Sequence, residues 1–243
     1  MIPATSAVVG LRMETVFSQD PELQLRSSES LAEADDTLER DFINNRLIRD
    51  PIGNEIVGLS WSCSDNMEMF GIPKEFHLLG LFLGRPDPAG VTVAHEKMLL
   101  ESTWRTLDWF FNSNPSVLFT APAIQPHLWR FLLCRSQKYR IPIPVWASEG
   151  LSASKPWNYN NHLVCPLDAF RNGAKDMADV TMLRLAMFLG LKDDVPIIPI
   201  KDMARSVREV PVGETAVRAS LQWARVHRKC LEILESTIAR PLS

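Results

Sequence analysis

The sequence predicts a single mixed-sheet α/β domain, and three observations predict it. Three apolar runs of strand type occupy residues 7–12, 55–63 and 76–84 with no helix between them. From His95 the apolar spacing changes to a helical period. A long amphipathic stretch from about residue 213 to residue 238 then closes the chain. With 243 residues, 46% of them hydrophobic, the chain can bury a full core in one domain spanning 1–243.

The run "AVVGLR" at 7–12 reads as a central strand. Residues 17–50 read as an acidic insertion or flexible loop, with room for one helix near "SLAEADDTLERDFINNRLI". "EIVGLSWSC" and "FHLLGLFLG" read as the next two strands, the second ended by the proline loop "RPDPAG". Leu99, Thr103, Leu107 and Phe110 recur at helical spacing until residues 112–115 stop the helix. "SVLFT" at 116–120 is a short buried strand and 126–139 a second helix. "IPIPVW" at 141–146 is expected to be extended and edge-like, because each proline removes a backbone donor. A short strand is expected within 161–167 and a helix over 179–191, ended by Gly190. In the last helix Val217, Leu221, Ala224, Leu231 and Leu234 face inward.

Charge is uneven along the chain. Between 18 and 41 the acids Asp20, Glu22, Glu29, Glu33, Asp35, Asp36, Glu39 and Asp41 face only Arg26 and Arg40. From Met203 onward Arg205, Arg208, Arg218, Arg225, Arg228, Lys229 and Arg240 lead. The simplest account is two solvated faces, and a net charge of −3 argues against a strong general nucleic-acid binder. The four cysteines are far apart and lack a Cys-x-x-Cys pair, so free buried thiols are expected; the five histidines are equally scattered. The chain shows neither an apolar run near the ~18 residues of a membrane span nor the pattern of a signal peptide. A soluble cytoplasmic protein with no membrane partner is the expectation.

Six phrases in order then carry a resemblance: "VVGLRMETV", "HEKMLLESTWRTLDWF", "NPSVLFTAPAIQPHLWRFLLCRSQKYRIPIP", "NHLVCPLDAF", "TMLRLAMFLGL" and "ETAVRASLQWARVHRKCLEIL". Together they resemble the DEDD superfamily of 3′–5′ exonucleases, in the branch similar to the proofreading domain of family-B DNA polymerases. The resemblance implies a ribonuclease H-like mixed sheet flanked by helices. It also implies an ancestral site in which four carboxylates hold two divalent metals.

Carried over residue by residue, that site comes out degenerate. The first aspartate falls on Arg12, while its glutamate partner is kept as Glu14. The Asn-Gly-x-x-Phe-Asp turn aligns to "AIQPHL", placing Leu128 at its aspartate, or Gln125 with a short gap. The last-helix aspartate falls on Ala216, or on Glu214 in a register slipped by two. The aspartate of the His-x-Asp-Leu segment falls on or near Cys165. No cofactor is therefore expected; magnesium or manganese belongs only to an alternative with relocated carboxylates, such as Glu14, Glu214 and Asp168.

Arg12 and Glu14 lie on one face of a strand, because side chains alternate. The guanidinium either pairs with Glu14 structurally or grips a phosphate with its planar fork of donors. Trp157 and Tyr159, in a polar loop, either stack on bases or pin the loop. Arg218, Arg225 and Arg228 complete the candidate nucleic-acid set with Arg12. Asp35 and Asp36 with Glu33 read as an exposed acidic loop, Asp108 as part of a solvated helix face, and His127 and His162 as ordinary hydrogen-bonded histidines. No Ser-His-Asp, Cys-His or glycine-rich phosphate signature is present. The expected function is that of a catalytically inactive exonuclease-like module that binds single-stranded nucleic acid or serves assembly with a protein partner. The rivals are a protein scaffold whose groove is filled by side chains such as Leu128, and an active metal-dependent nuclease.

Overall fold

The computed structural model describes residues 7–17, 50–65, 67, 72, 77–83, 93–148, 161–171, 180–198, 200–208 and 212–238. The acidic stretch 18–49 and the loop bearing Trp157 and Tyr159 lie outside the described residues.

Three strands come first: β1 (Val8–Phe17), β2 (Asn54–Cys63) and β3 (Leu78–Phe82). Helix α1 (Val93–Ser113) leads to β4 (Leu118–Thr120). A π-helical turn (Ile124–Trp129) runs into α2 (Arg130–Lys138), followed by the single turn α3 (Val145–Ser148). Then come β5 (Leu163–Val164), α4 (Pro166–Arg171), α5 (Met182–Phe188), a 3₁₀ turn (Lys192–Asp194), α6 (Ile200–Arg208) and the long α7 (Glu214–Ile238).

The strands form one mixed sheet in the order β3-β2-β1-β4-β5. β1 pairs with β4 and β4 with β5 in parallel, while β2 is antiparallel to both of its neighbours. As the central strand, β1 buries both faces. Val9, Leu11 and Met13 join Leu100, Trp104, Leu107 and Phe110 of α1 in the main core. On the other face Val8 meets Leu118 and Leu231, and Val16 meets Val212 and Ala216. Helix α7 therefore runs antiparallel along β1 on the face away from α1. Burial of these two layers, at about 25 cal/mol per Å² of apolar surface, is the main term holding the sandwich together.

Four elements differ from the sequence expectation. β1 runs on to Phe17 rather than ending at 12, since Met13 to Phe17 keep pairing with β2 through a bulge between Glu14 and Thr15. The segment after Ile141 is not an edge strand: Pro144 opens α3, its carbonyl accepting from Ala147 N and Ser148 N. The helix expected from 126 starts two residues earlier, at Ile124, as a wide turn. α6, which follows a proline-interrupted apolar stretch, was not expected at all. At α5 the expected stop holds, with Gly190 at φ +77° and Leu191 N returning to Ala186 O at 2.8 Å. Among the described residues no helix is long and apolar enough to cross a membrane.

Candidate functional site

Strand β4 accompanies β1 only from Val8 to Gly10. Beyond Gly10 the β4-side edge of β1 has no strand partner among the described residues, so Arg12 and Glu14 stand at the carboxyl end of the parallel strands. In open α/β sheets this is where a crevice forms. Both side chains share the face covered by α7. Glu14 is buried, Arg12 is about one-third exposed, and Arg12 Nε donates to Glu14 Oε1 at 3.0 Å. The geometry therefore makes the ion pair that was one of the two readings of Arg12. Only the Nε edge of the guanidinium has a partner among the described residues.

Helix α7 closes over this pair with a face of small and polar residues. At the crossing point a methyl group on Gly10 would stand 2.0 Å from the Ala224 carbonyl oxygen. Ser60 Oγ donates to Ser220 Oγ at 2.7 Å. His227 is fully buried with Nδ1 2.8 Å from the Leu11 carbonyl oxygen. A carbonyl can only accept, so Nδ1 carries the proton. Burial, with the nearby Arg12 charge adding to it, holds the His227 pKa down at about 3 against the opposing pull of the Leu11 carbonyl. His227 is thus neutral, and Arg12 supplies the positive charge beside it.

The other candidate residues are scattered. Leu128 is buried in the main core on the α1 side of the sheet. The side chain of Gln125 lies outside the described residues. Ala216 packs with Val16, Val57 and Val212. Glu214 is exposed and pairs with Arg218 one turn on at 2.5 Å. Cys165 is half-buried, its thiol pushed up chiefly by burial. Asp168 is exposed, 3.9 Å from Arg171. Arg225 is exposed on the outer face of α7.

Arg228 corrects the expectation of a groove lined by three helix arginines. It is buried against the sheet, with Nε donating to Ser62 Oγ at 3.1 Å and Nη1 to Glu232 at 3.0 Å. The helix turns it about 80° away from Arg218 and about 60° away from Arg225. Asp108 is a second correction. It is half-buried and accepts from Trp146 Nε1 at 2.9 Å and Asn112 Nδ2 at 3.1 Å, so it does not sit on a freely solvated face. His162 Nδ1 lies 3.2 Å from Val117 O, an ordinary structural contact, and the His127 ring meets Phe131 edge-on. The four cysteines are free, and burial pushes Cys63 and Cys230 up to about 12.

The residues at β1 do not fit a pair of divalent metals. Hard cations need several oxygen ligands, and here one carboxylate is already engaged by a guanidinium. Among the described residues no three His, Cys, Asp or Glu side chains come together in a metal-binding group. Glu14, Glu214 and Asp168 accordingly form no such cluster.

The most heavily buried charge among the described residues was missed. Glu96 Oε1 accepts from Ile56 N and from Arg135 Nε, each at 2.8 Å. Glu96 Oε2 accepts from Arg135 Nη2 and from Tyr139 OH, and Arg135 Nη1 reaches Pro51 O at 3.3 Å. Burial alone would lower the Arg135 pKa, but the hydrogen bond and charge of Glu96 outweigh it and raise it. Tyr139 is raised by burial and by its bond to Glu96. The available signal was the pairing of two quoted phrases, one opening a helix with an acid and the other carrying an arginine in the next helix. Among known proteins, no family model matches this chain and no curated protein matches it.

Proposed function

We propose that this chain is an exonuclease-like domain of ribonuclease H-like fold, without carboxylate–metal catalysis, that binds single-stranded nucleic acid as a module of a nucleoprotein assembly. The observation that carries the reading is the Arg12–Glu14 pair at the carboxyl end of the parallel strands. A guanidinium occupies the position where the resemblance expects a metal-binding aspartate, and its unengaged edge suits a phosphate oxygen. The five-stranded mixed sheet with helices on both faces supports the fold half of the proposal.

A second reading, a protein scaffold without nucleic-acid binding, is favoured by the helix cations. Arg228 is buried and Arg218 is paired with Glu214, so two of the expected phosphate contacts are committed elsewhere. A 5′-labelled single strand incubated with the protein and manganese, with retention on filters read at two salt concentrations, separates the cases. The proposal expects an intact strand, retained at low salt and released at high salt, with retention weakened several-fold in Arg12→Ala. Degradation that Glu14→Ala abolishes would make the protein a nuclease. An intact strand that is not retained even at low salt would leave the scaffold.

A further inference from the structure

On the side of the molecule away from α7, the outer face of α1 and the segment leading into α3 enclose a groove of about 820 Å³. That volume is of the size that specific ligands and peptide segments occupy. One wall is apolar: Phe111 from α1 faces Ile143 and Val145, and Val145 is 81% exposed.

The floor of the groove carries charge. Asp108 is held by two neutral donors, Trp146 Nε1 and Asn112 Nδ2. A carboxylate offers about four lone-pair directions, so each oxygen can accept again. Arg105 also lines the groove, but its Nε is turned to the Glu101 carbonyl oxygen at 3.4 Å, and it forms no ion pair with Asp108. Glu101 lies two turns earlier on the same rim, with Lys97 only at 3.9 Å. Ile143 N–H has no hydrogen-bond partner among the described residues, since it precedes α3 and the segment pairs with no strand. An apolar wall, a free backbone donor and a half-buried carboxylate without an ion-pair partner among the described residues thus line one groove, whose two carboxylates outnumber its one arginine.

We infer that this groove binds an extended segment of a partner protein in which an arginine or lysine is flanked by apolar residues. The aliphatic stem of such a side chain covers Val145 and Phe111 while its head reaches Asp108 and Glu101. The partner's backbone carbonyl takes the Ile143 N–H, as in other modes of extended-peptide recognition. The occupant is chosen by charge: an acidic segment would place like charges at Asp108, and a purely apolar one would leave that carboxylate desolvated without a partner. This site lies apart from the Arg12 crevice, and the two proposals fail independently.

The test is fluorescence anisotropy with a labelled peptide of alternating leucine and arginine, compared with its counterpart carrying glutamate for arginine. The arginine peptide binds and the glutamate peptide does not. Asp108→Asn, which keeps an acceptor for Trp146, weakens the arginine peptide by about tenfold. Val145→Ser weakens it several-fold, and the thermal midpoints of both variants show that they are folded. Absence of binding at millimolar arginine peptide overturns the inference, as does equal binding of both peptides or indifference to Asp108→Asn. A Val145→Ser variant that changes only the self-association seen in sedimentation would make the groove a contact between copies of this chain, which also overturns it.

Discussion

Gly10 of the central strand passes directly beneath Ala224 of the closing helix, with no room for a side chain between the two backbones. A Cβ at position 10 would stand 2.0 Å from Ala224 O, 2.8 Å from Arg228 N and 2.9 Å from Arg228 Cβ. Two of these are helix backbone atoms, which cannot turn aside as the tip of a flexible side chain can. This contact sets how deeply α7 seats on the sheet, and so how closely it covers Arg12 and Glu14.

Gly10→Ala should therefore destabilise the fold by about 3 kcal/mol, the upper end for overpacking. Gly53→Ala is the control, since the nearest atom to its Cβ is the Asp50 side-chain oxygen at 3.4 Å. Urea denaturation of the two variants should show a large loss for the first and little change for the second. Equal midpoints would mean that α7 floats on the sheet.

The Glu96–Arg135 pair fastens α1 and α2 to the start of β2, and each side chain is 1% exposed. Arg135→Met should cost about 3–5 kcal/mol, because it leaves a buried carboxylate whose strongest partner is gone. Tyr139→Phe removes one hydrogen bond to the same oxygen and should cost about 1–2 kcal/mol. Chemical denaturation of the two single variants and the double variant measures the coupling. Additive losses would show that the tyrosine and arginine do not act on one carboxylate.

What was legible in the sequence depended on whether one element's own pattern carried the information. The Leu99, Leu107 and Phe110 spacing fixed the buried face of α1, and all three are in the core. β1 was read short because Arg12 and Glu14 interrupt its apolar run, although Leu11 and Met13 keep the alternation on the opposite face. The pairing of Glu96 with Arg135 crosses 39 residues and two helices, so no local period could report it. Arg228 was counted with the exposed arginines because a tally of charge along a helix ignores direction. The "AIQPHL" turn gave no hint that Leu128 faces the α1 core rather than the α7 side of the sheet, because which way a turn residue points is set by its partners.

Arg12 and Glu14 should behave as a coupled pair. Arg12→Met leaves the buried Glu14 carboxylate without its cation and should destabilise by about 1–3 kcal/mol. Arg12→Met combined with Glu14→Leu should recover most of that loss, because the sheet face then buries two apolar groups under α7. A double variant no more stable than the single one would mean that Glu14 finds its stabilisation elsewhere.

His227 makes the last prediction, and its sign follows from its neutral state. Its pKa is lowered from the ordinary 6.5 to about 3 in the fold, so between those values the unfolded chain binds a proton that the native protein excludes. Its stability contribution is fully present above 6.5 and is lost as pH falls toward 3. At about pH 5 the loss should be about 2 kcal/mol relative to neutral pH, before most carboxylates titrate. The charged group facing the ring from β1 is Arg12, whose charge is constant over this range. Glu235, whose carboxyl is raised by burial, acts in the opposite direction, so the His227 share is read from the variant. Gln at position 227 can still donate to the Leu11 carbonyl but does not titrate. His227→Gln should therefore flatten the dependence of the thermal midpoint on pH between about 6.5 and 5. An unchanged slope in that variant would place the proton uptake on another group and leave the neutral His227 contact without a thermodynamic role.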